Sequence, residues 1–235
     1  MKEYIVTDLT RFNNSELVCT AIVDLETNEC LRPTPYFKAA QCRKINMHPG
    51  AVLQGTFSIK ADTQKPHVED AVYEQDVKFV RVASSEEFKA ALDATLSESV
   101  SKGFGVDFDL GQKHIPLDSA PSVSILTLKI SPQNLSIHED QFKKGKLRLT
   151  FTDNEGSRFS FLSITDRGFH DYAMEHYESD KMDSLEEFIA KQEEVYLRIG
   201  LSRKYATPDG REGYWLQGNG IYTFPDFLPE IRQYK

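Results

Sequence analysis

The residues in this chain best suited to chemistry are three arginines at strand ends and one short loop rich in titratable groups. Arg11, Arg32 and Arg203 each close or border an apolar run, where a guanidinium fork can clamp a phosphate or a carboxylate through paired N–H donors. Pro66-His67-Val68-Glu69-Asp70 places an imidazole beside two carboxylates, a set able to move protons, bind a metal or fix an arginine. Its spacing matches no metal signature, and the looser echo at His138-Glu139-Asp140 adds none, so no metal or cofactor is called for. The arginines have a second use open to them, a structural ion network with Asp8, Glu69, Asp70 or Asp166.

A further group lies in residues 200–227, which hold Trp215, the only tryptophan, with Tyr214, Gln217 and Tyr222. Aromatic faces stack on bases, and an amide reads hydrogen-bonding edges. The two-residue period of a strand puts Trp215 and Gln217 on one face and Tyr214 on the other. Core packing of the indole is the competing use.

The elements that position these groups read as strands. YIVTDLTRF, SELVCTAIVDL and CLRPTPYF follow one another, and a run over residues 51–61 and KFVRV come after them. Ser84 with Glu87 three residues on opens a helix over 84–100. The second half repeats this pattern with SVSILTLKI, NLSIH and KLRLTFTD, then an Asn154-Glu155-Gly156 turn into RFSFLSITD. Ser184 with Glu187 opens a second helix over 184–197. Pro-Asp-Gly at 208–210 and Gly-Asn-Gly at 218–220 divide the last stretch into strands. Short strands with one helix per half predict a mainly β, β-rich α+β chain of two small barrels, residues 1–118 and 119–235.

Composition removes several function classes. The net charge is −8, with 13 basic against 18 acidic residues up to Ala120 and 15 against 18 beyond it, so any nucleic-acid site must be a local patch. No apolar run nears the roughly 20 residues that a spanning helix needs, and with no signal-peptide layout the expected setting is cytoplasmic, away from membrane. Cys19, Cys30 and Cys42 have no C-x-x-C spacing and read as reduced thiols. Motifs for nucleotide hydrolysis, zinc proteolysis or acyl transfer do not occur, which points to a non-catalytic protein.

Taken in order, Leu9-Thr10-Arg11, Cys30-Leu31-Arg32-Pro33, Pro66-His67-x-Glu69-Asp70, Ile164-Thr165-Asp166, Gly200-Leu201-Ser202-Arg203 and Trp215-Leu216-Gln217-x-x-Gly220-Ile221-Tyr222-Thr223-Phe224-Pro225-Asp226 resemble the dual OB-containing domain family of bacteria. The resemblance spans nearly the whole chain. It implies two OB-like barrels and nucleic-acid binding in a mobile-element or phage-defence context. Single-stranded DNA or RNA is then the expected partner, held by Arg11, Arg32 and Arg203 with Trp215 or Tyr222 stacking a base. Two alternatives remain: a nucleotide-like or phosphorylated ligand held by His67, Glu69, Asp70 and the arginines, or a protein partner docked on the aromatic surface.

Overall fold

A computed structural model describes residues 2–12 and 14–234. The N-terminal part holds β1 (Glu3–Arg11), β2 (Leu17–Asp24), β3 (Cys30–Pro33), β4 (Phe37–Lys38), α1 (Ala39–Lys44), β5 (Ala51–Gln54), β6 (Phe57–Ile59), β7 (Asp70–Tyr73) and β8 (Lys78–Val82). Two helices follow, α2 (Ser85–Asp93) and α3 (Val100–Phe104). Next come β9 (His114–Pro116), β10 (Ile125–Ile130), β11 (Leu135–Asp140), β12 (Lys143–Thr152), β13 (Arg158–Ile164), α4 (Arg167–Glu178) and α5 (Met182–Ala190). The chain ends with β14 (Glu194–Leu201), β15 (Tyr205–Ala206), β16 (Glu212–Phe224) and α6 (Pro229–Arg232).

The strands form two sheets, ordered β6-β7-β3-β2-β1-β5-β8 and β10-β14-β16-β13-β12-β11. Each sheet contains one parallel pair, β3 with β7 and β13 with β16, among antiparallel neighbours. Each also curls round on itself through one bent run. In the first, only Gly55 and Thr56 separate β5, which pairs with β1, from β6, which pairs with β7. A glycine suits this corner, because a Cβ there would press on Phe57 and Val77 at 3.1 Å. In the second, a short turn at Pro132–Asn134 separates β10, on β14, from β11, on β12. The fold is therefore mainly β and OB-like. Its helices are short, and no helix among the described residues is long and apolar enough to cross a membrane.

Three apolar clusters hold the chain. One fills the first barrel around Tyr4, Val6, Leu9, Val18 and Leu53, and one fills the second around Leu128, Leu149, Phe151, Leu197 and Ile221. The third joins them: Ile5, Val23, Val52, Phe88 and Leu92 pack against Tyr196, Tyr222, Phe224 and Phe227. A strand with one face in its own barrel and the other against the neighbour is closed to solvent on both faces, as β1 is from Tyr4 to Thr10. Polar bonds are set into this layer. Arg198 donates to Asp8 (2.6 Å) and Thr127 (2.7 Å), and the Tyr222 hydroxyl donates to the Thr7 carbonyl.

Several expected boundaries move. Ser84 caps α2 as predicted, accepting from the Glu87 amide at 3.1 Å, but α2 stops at Asp93 and a separate α3 begins at Val100. Val100 and Phe104, expected in the N-terminal half, bury in the second barrel's core. The helix expected over 184–197 is α5 and ends at Ala190; Ser184 lies inside it, and residues 194–197 are already strand because Val195, Tyr196 and Leu197 complete the buried run of β14. Helix α4 was not anticipated. Its N-cap is Asp166, which accepts from the Phe169 amide (3.1 Å) without a Ser-x-x-Glu signature.

Asp8 and Arg198 are each about 1% exposed, so either charge left alone would be buried without a partner. Asp8→Ala should cost about 3–5 kcal/mol of unfolding free energy. Adding Arg198→Met should recover much of it, since an apolar pair of similar volume replaces a buried ion pair. Urea titrations of the two single variants and the double variant read the coupling directly.

Candidate functional site where the two barrels meet

The parallel register of β3 and β7 sets Arg32 opposite Asp70, and the Arg32 amide donates to the Glu69 carbonyl at 2.7 Å. Arg32 therefore meets Asp70 side by side, Nε to Oδ1 at 2.7 Å. Arg203 arrives from the other barrel, just past the end of β14, and forks onto the same carboxylate: Nη1 to Oδ2 at 2.7 Å and Nη2 to Oδ1 at 3.0 Å. Its Nε donates to the Tyr36 hydroxyl at 2.9 Å. Arg32 is buried, whereas the Arg203 side chain remains 43% exposed.

Burial pushes the Asp70 carboxyl up, but the Arg203 hydrogen bonds and the Arg32 charge outweigh it and hold its pKa below the usual carboxylate value. The same two cations act on His67. Burial first, then Arg32 and Arg203, drive its pKa down to about 3, so the ring is neutral at pH 7. The edge of His67 meets Tyr214, with ring centroids 5.7 Å apart and planes at 88°. Neither His67 ring nitrogen makes a hydrogen bond of good geometry, nor does Glu69 Oε2; the other Glu69 oxygen accepts from Ser124 of the second barrel. Burial lifts the Cys19 thiol to about 11, so it does not supply a thiolate.

Arg32, His67, Glu69, Asp70 and Arg203 thus come together at the junction, and the other predicted residues stand elsewhere. Arg11 donates to His170 at the exposed end of β1, beside Phe12. Phe12 lies 4.9 Å from Tyr36, ring to ring, and Tyr36 lies under Arg203, so Arg11-Phe12, Tyr36 and Arg203 form a strip across the junction. Trp215 stacks on His114 (4.8 Å, 20°), with Arg211 5.1 Å from its ring centre. Gln217 lies further along β16, opposite Ser163 and Gly200.

Three expectations need correction. Tyr222 cannot stack a base, because it is fully buried in the shared core against Phe88 and Arg232. Tyr214 and Trp215 do occupy opposite faces of β16, but Tyr214, not Trp215, is the one that reaches His67. Of Asp8, Glu69, Asp70 and Asp166, the carboxylates expected to pair with Arg11, Arg32 or Arg203, Asp70 takes Arg32 and Arg203, whereas Asp8 and Asp166 take Arg198 and Arg232. Phe12 and Tyr36 were missed altogether. Their signal was weak but present: each aromatic sits within one to four residues of a strand-ending arginine.

Surface cavities of about 600 and 290 Å3 are lined around Lys129 and Glu194 and around Arg167 and Tyr172; the second includes Asp171, which bonds the same His170 that Arg11 contacts. Among the described residues no three His, Cys, Asp or Glu side chains converge as metal ligands do.

Over residues 9–221 the chain matches the dual OB-containing domain, and it belongs to that family. No curated protein and no solved structure gives a match.

The buried neutral His67 makes stability depend on pH. Its pKa is depressed on folding, so between about 6.5 and about 3 the unfolded chain binds a proton that the native chain refuses, and stability falls as pH falls through that window. His67→Phe removes this titration. Between pH 7 and 4.5 the wild type should lose up to about 2.5 kcal/mol more than the variant, measured by urea unfolding at the two pH values.

Proposed function

From membership of the dual OB-containing domain family and the strip across its two barrels, we propose that this protein binds single-stranded nucleic acid without catalysing a reaction on it. The observation that carries the reading is the half-exposed pair Phe12 and Tyr36, capped by Arg203 and flanked by Arg11, with residues drawn from both barrels. Aromatic faces stack bases of any sequence, and OB-fold surfaces commonly bind oligonucleotides.

Arg203 suits a phosphate contact. Asp70 and Tyr36 take three of its five N–H bonds, which fixes the fork and leaves two donors on its exposed side. Arg32 has a different part: buried against Asp70, it holds the carboxylate that orients Arg203. The acidity of the whole chain then limits non-specific adhesion, and binding depends on this local geometry.

Fluorescence anisotropy with labelled single- and double-stranded DNA and RNA, at several salt concentrations, tests the reading. Single strands should bind best and weaken steeply with salt. Arg203→Ala should lower the salt slope by about 0.7 for one lost phosphate contact, and Tyr36→Ala should cost about 1–3 kcal/mol of affinity. An absence of salt-sensitive binding to any oligonucleotide at high protein concentration would end the proposal.

One observation favours a second reading, a small nucleotide-like or phosphorylated ligand. His67 and Glu69 keep buried polar atoms without well-formed hydrogen bonds beside Arg32 and Arg203. A nucleotide that raises the thermal midpoint in a concentration-dependent way, in a protein that ignores oligonucleotides, would put this reading first.

A further inference from the structure

Charge is segregated along this chain. Residues 171–187, running from α4 into α5, hold seven carboxylates and one lysine, whereas residues 141–148 (QFKKGKLR), at the turn between β11 and β12, hold four cations and no acid. The two stretches are neighbours at one end of the second barrel, where the Tyr177 hydroxyl of α4 donates to Glu139 at the foot of the β11–β12 hairpin. They do not neutralise each other within one copy: Lys143, Lys144 and Lys146 are exposed and form no ion pair among the described residues.

The acidic stretch borders a groove. A cavity of about 290 Å3 lies between α4 and α6, with the half-buried Tyr172, Met174 and Ile231 at its floor and the exposed Asp171, Glu175 and Glu178 along its rim. Burial first, and then the charges of Glu230, Asp226 and Glu175, push the Tyr172 phenol up, so negative potential reaches the floor as well. Arg167, the one cation among the described residues that line the groove, is turned onto the ring of Tyr234, 3.9 Å from its centre. An apolar floor inside an acidic rim complements a basic segment with an apolar tip.

The β11–β12 hairpin has that form. Phe142 stands 85% exposed among the three lysines. Its turn is fixed: Asp140 accepts from the Phe142 amide (2.9 Å), the Lys143 amide (3.2 Å) and Arg148 (2.6 Å), and Glu139 accepts from the Gly145 amide. A tip held in this way loses little conformational freedom on docking. Because tip and groove are neighbours on one copy, a two-fold axis sets the tip of each copy against the groove of the other, the reciprocal contact of an isologous dimer. We infer that this protein pairs with a second copy of itself through the β11–β12 hairpin and the α4–α6 groove, Phe142 of each copy seating on Tyr172, Met174 and Ile231 of the other while the lysines meet the acidic rim. The inference does not rest on the nucleic-acid reading.

Sedimentation velocity over a concentration series tests it, with far-ultraviolet circular dichroism and thermal midpoints confirming the fold of each full-length variant. The wild type should form a dimer that weakens as salt rises, because the paired charges lie at the surface. Phe142→Ala should raise the dimer dissociation constant about thirtyfold or more, the effect of truncating an interface anchor. The triple reversal Lys143→Glu, Lys144→Glu, Lys146→Glu sets acid against acid, and Glu178→Lys with Glu230→Lys sets base against base, so each variant alone should be monomeric. Mixed together, the two reversed variants should form a heterodimer, since both contacts are then complementary. A folding defect cannot produce that rescue.

A wild type that stays monomeric at low salt over the whole concentration series overturns the inference. So does a dimer that survives both charge reversals, which would assign self-association to another face, and so does a mixture of the reversed variants that stays monomeric while the wild type dimerises. If the hairpin reversal abolishes oligonucleotide binding and leaves the dimer intact, the hairpin belongs to the nucleic-acid surface and the inference fails. If the dimer behaves as expected and no oligonucleotide binds, the inference stands and the nucleic-acid reading falls.

Discussion

Arg198 carries a positive charge into the layer between two barrels, and Asp8 meets it there at 2.6 Å. Much of the fold follows from that constraint. Two small barrels each bury a core of modest size, and a shared apolar layer joins them into a larger one. Apolar layers slide cheaply, whereas a buried ion pair with further bonds to Thr127 and Cys30 has one register in which all donors are satisfied. The pair thus fixes which residues of one barrel face which residues of the other. Arg203 lies five residues beyond Arg198, and its approach to Asp70 depends on that alignment.

The junction is built differently from the layer behind it. Deep in the layer, Asp8 and Arg198 are closed to solvent. At the rim, Asp70 joins a buried Arg32 to an Arg203 that is still open to water. Exposure, not pairing, separates the structural cation from the one available to a ligand. Both arginines share one carboxylate, so the geometry of the exposed guanidinium is set by the buried one. The neutral His67 belongs with the buried side, where two nearby cations and little water leave no room for a third positive charge.

The strands were legible in the sequence because their apolar and β-branched runs are punctuated by glycine, proline and asparagine. The closure of each barrel was not, since it depends on bent runs at residues 55–56 and 132–134 that sequence divides differently. Helix α4 escaped because its cap is a lone Asp166, and α5 was read too long because residues 194–197 have acceptable helical composition but complete a buried strand. For the site, the motif containing His67, Glu69 and Asp70 and the arginines at 32 and 203 could be read as partners, and they meet. Tyr222 misled because a tyrosine at the end of a glycine-rich strand looks exposed until the second barrel is laid over it. Asp8 and Arg198 did leave a signal: each is a charge in the middle of a strand, between apolar neighbours, and their signs are opposite.

The pairing of Asp166 with Arg232 ties distant parts of the chain together. Asp166 caps α4 and is about 1% exposed, yet its cation lies 66 residues further along the chain, in α6. Besides Arg232, the carboxylate accepts from the Phe169 and Ile221 amides, and its backbone bridges to Thr10 of β1. One carboxylate thus ties the start of α4 to β1 on one side and to α6 on the other, so three stretches distant in sequence share a single buried charge.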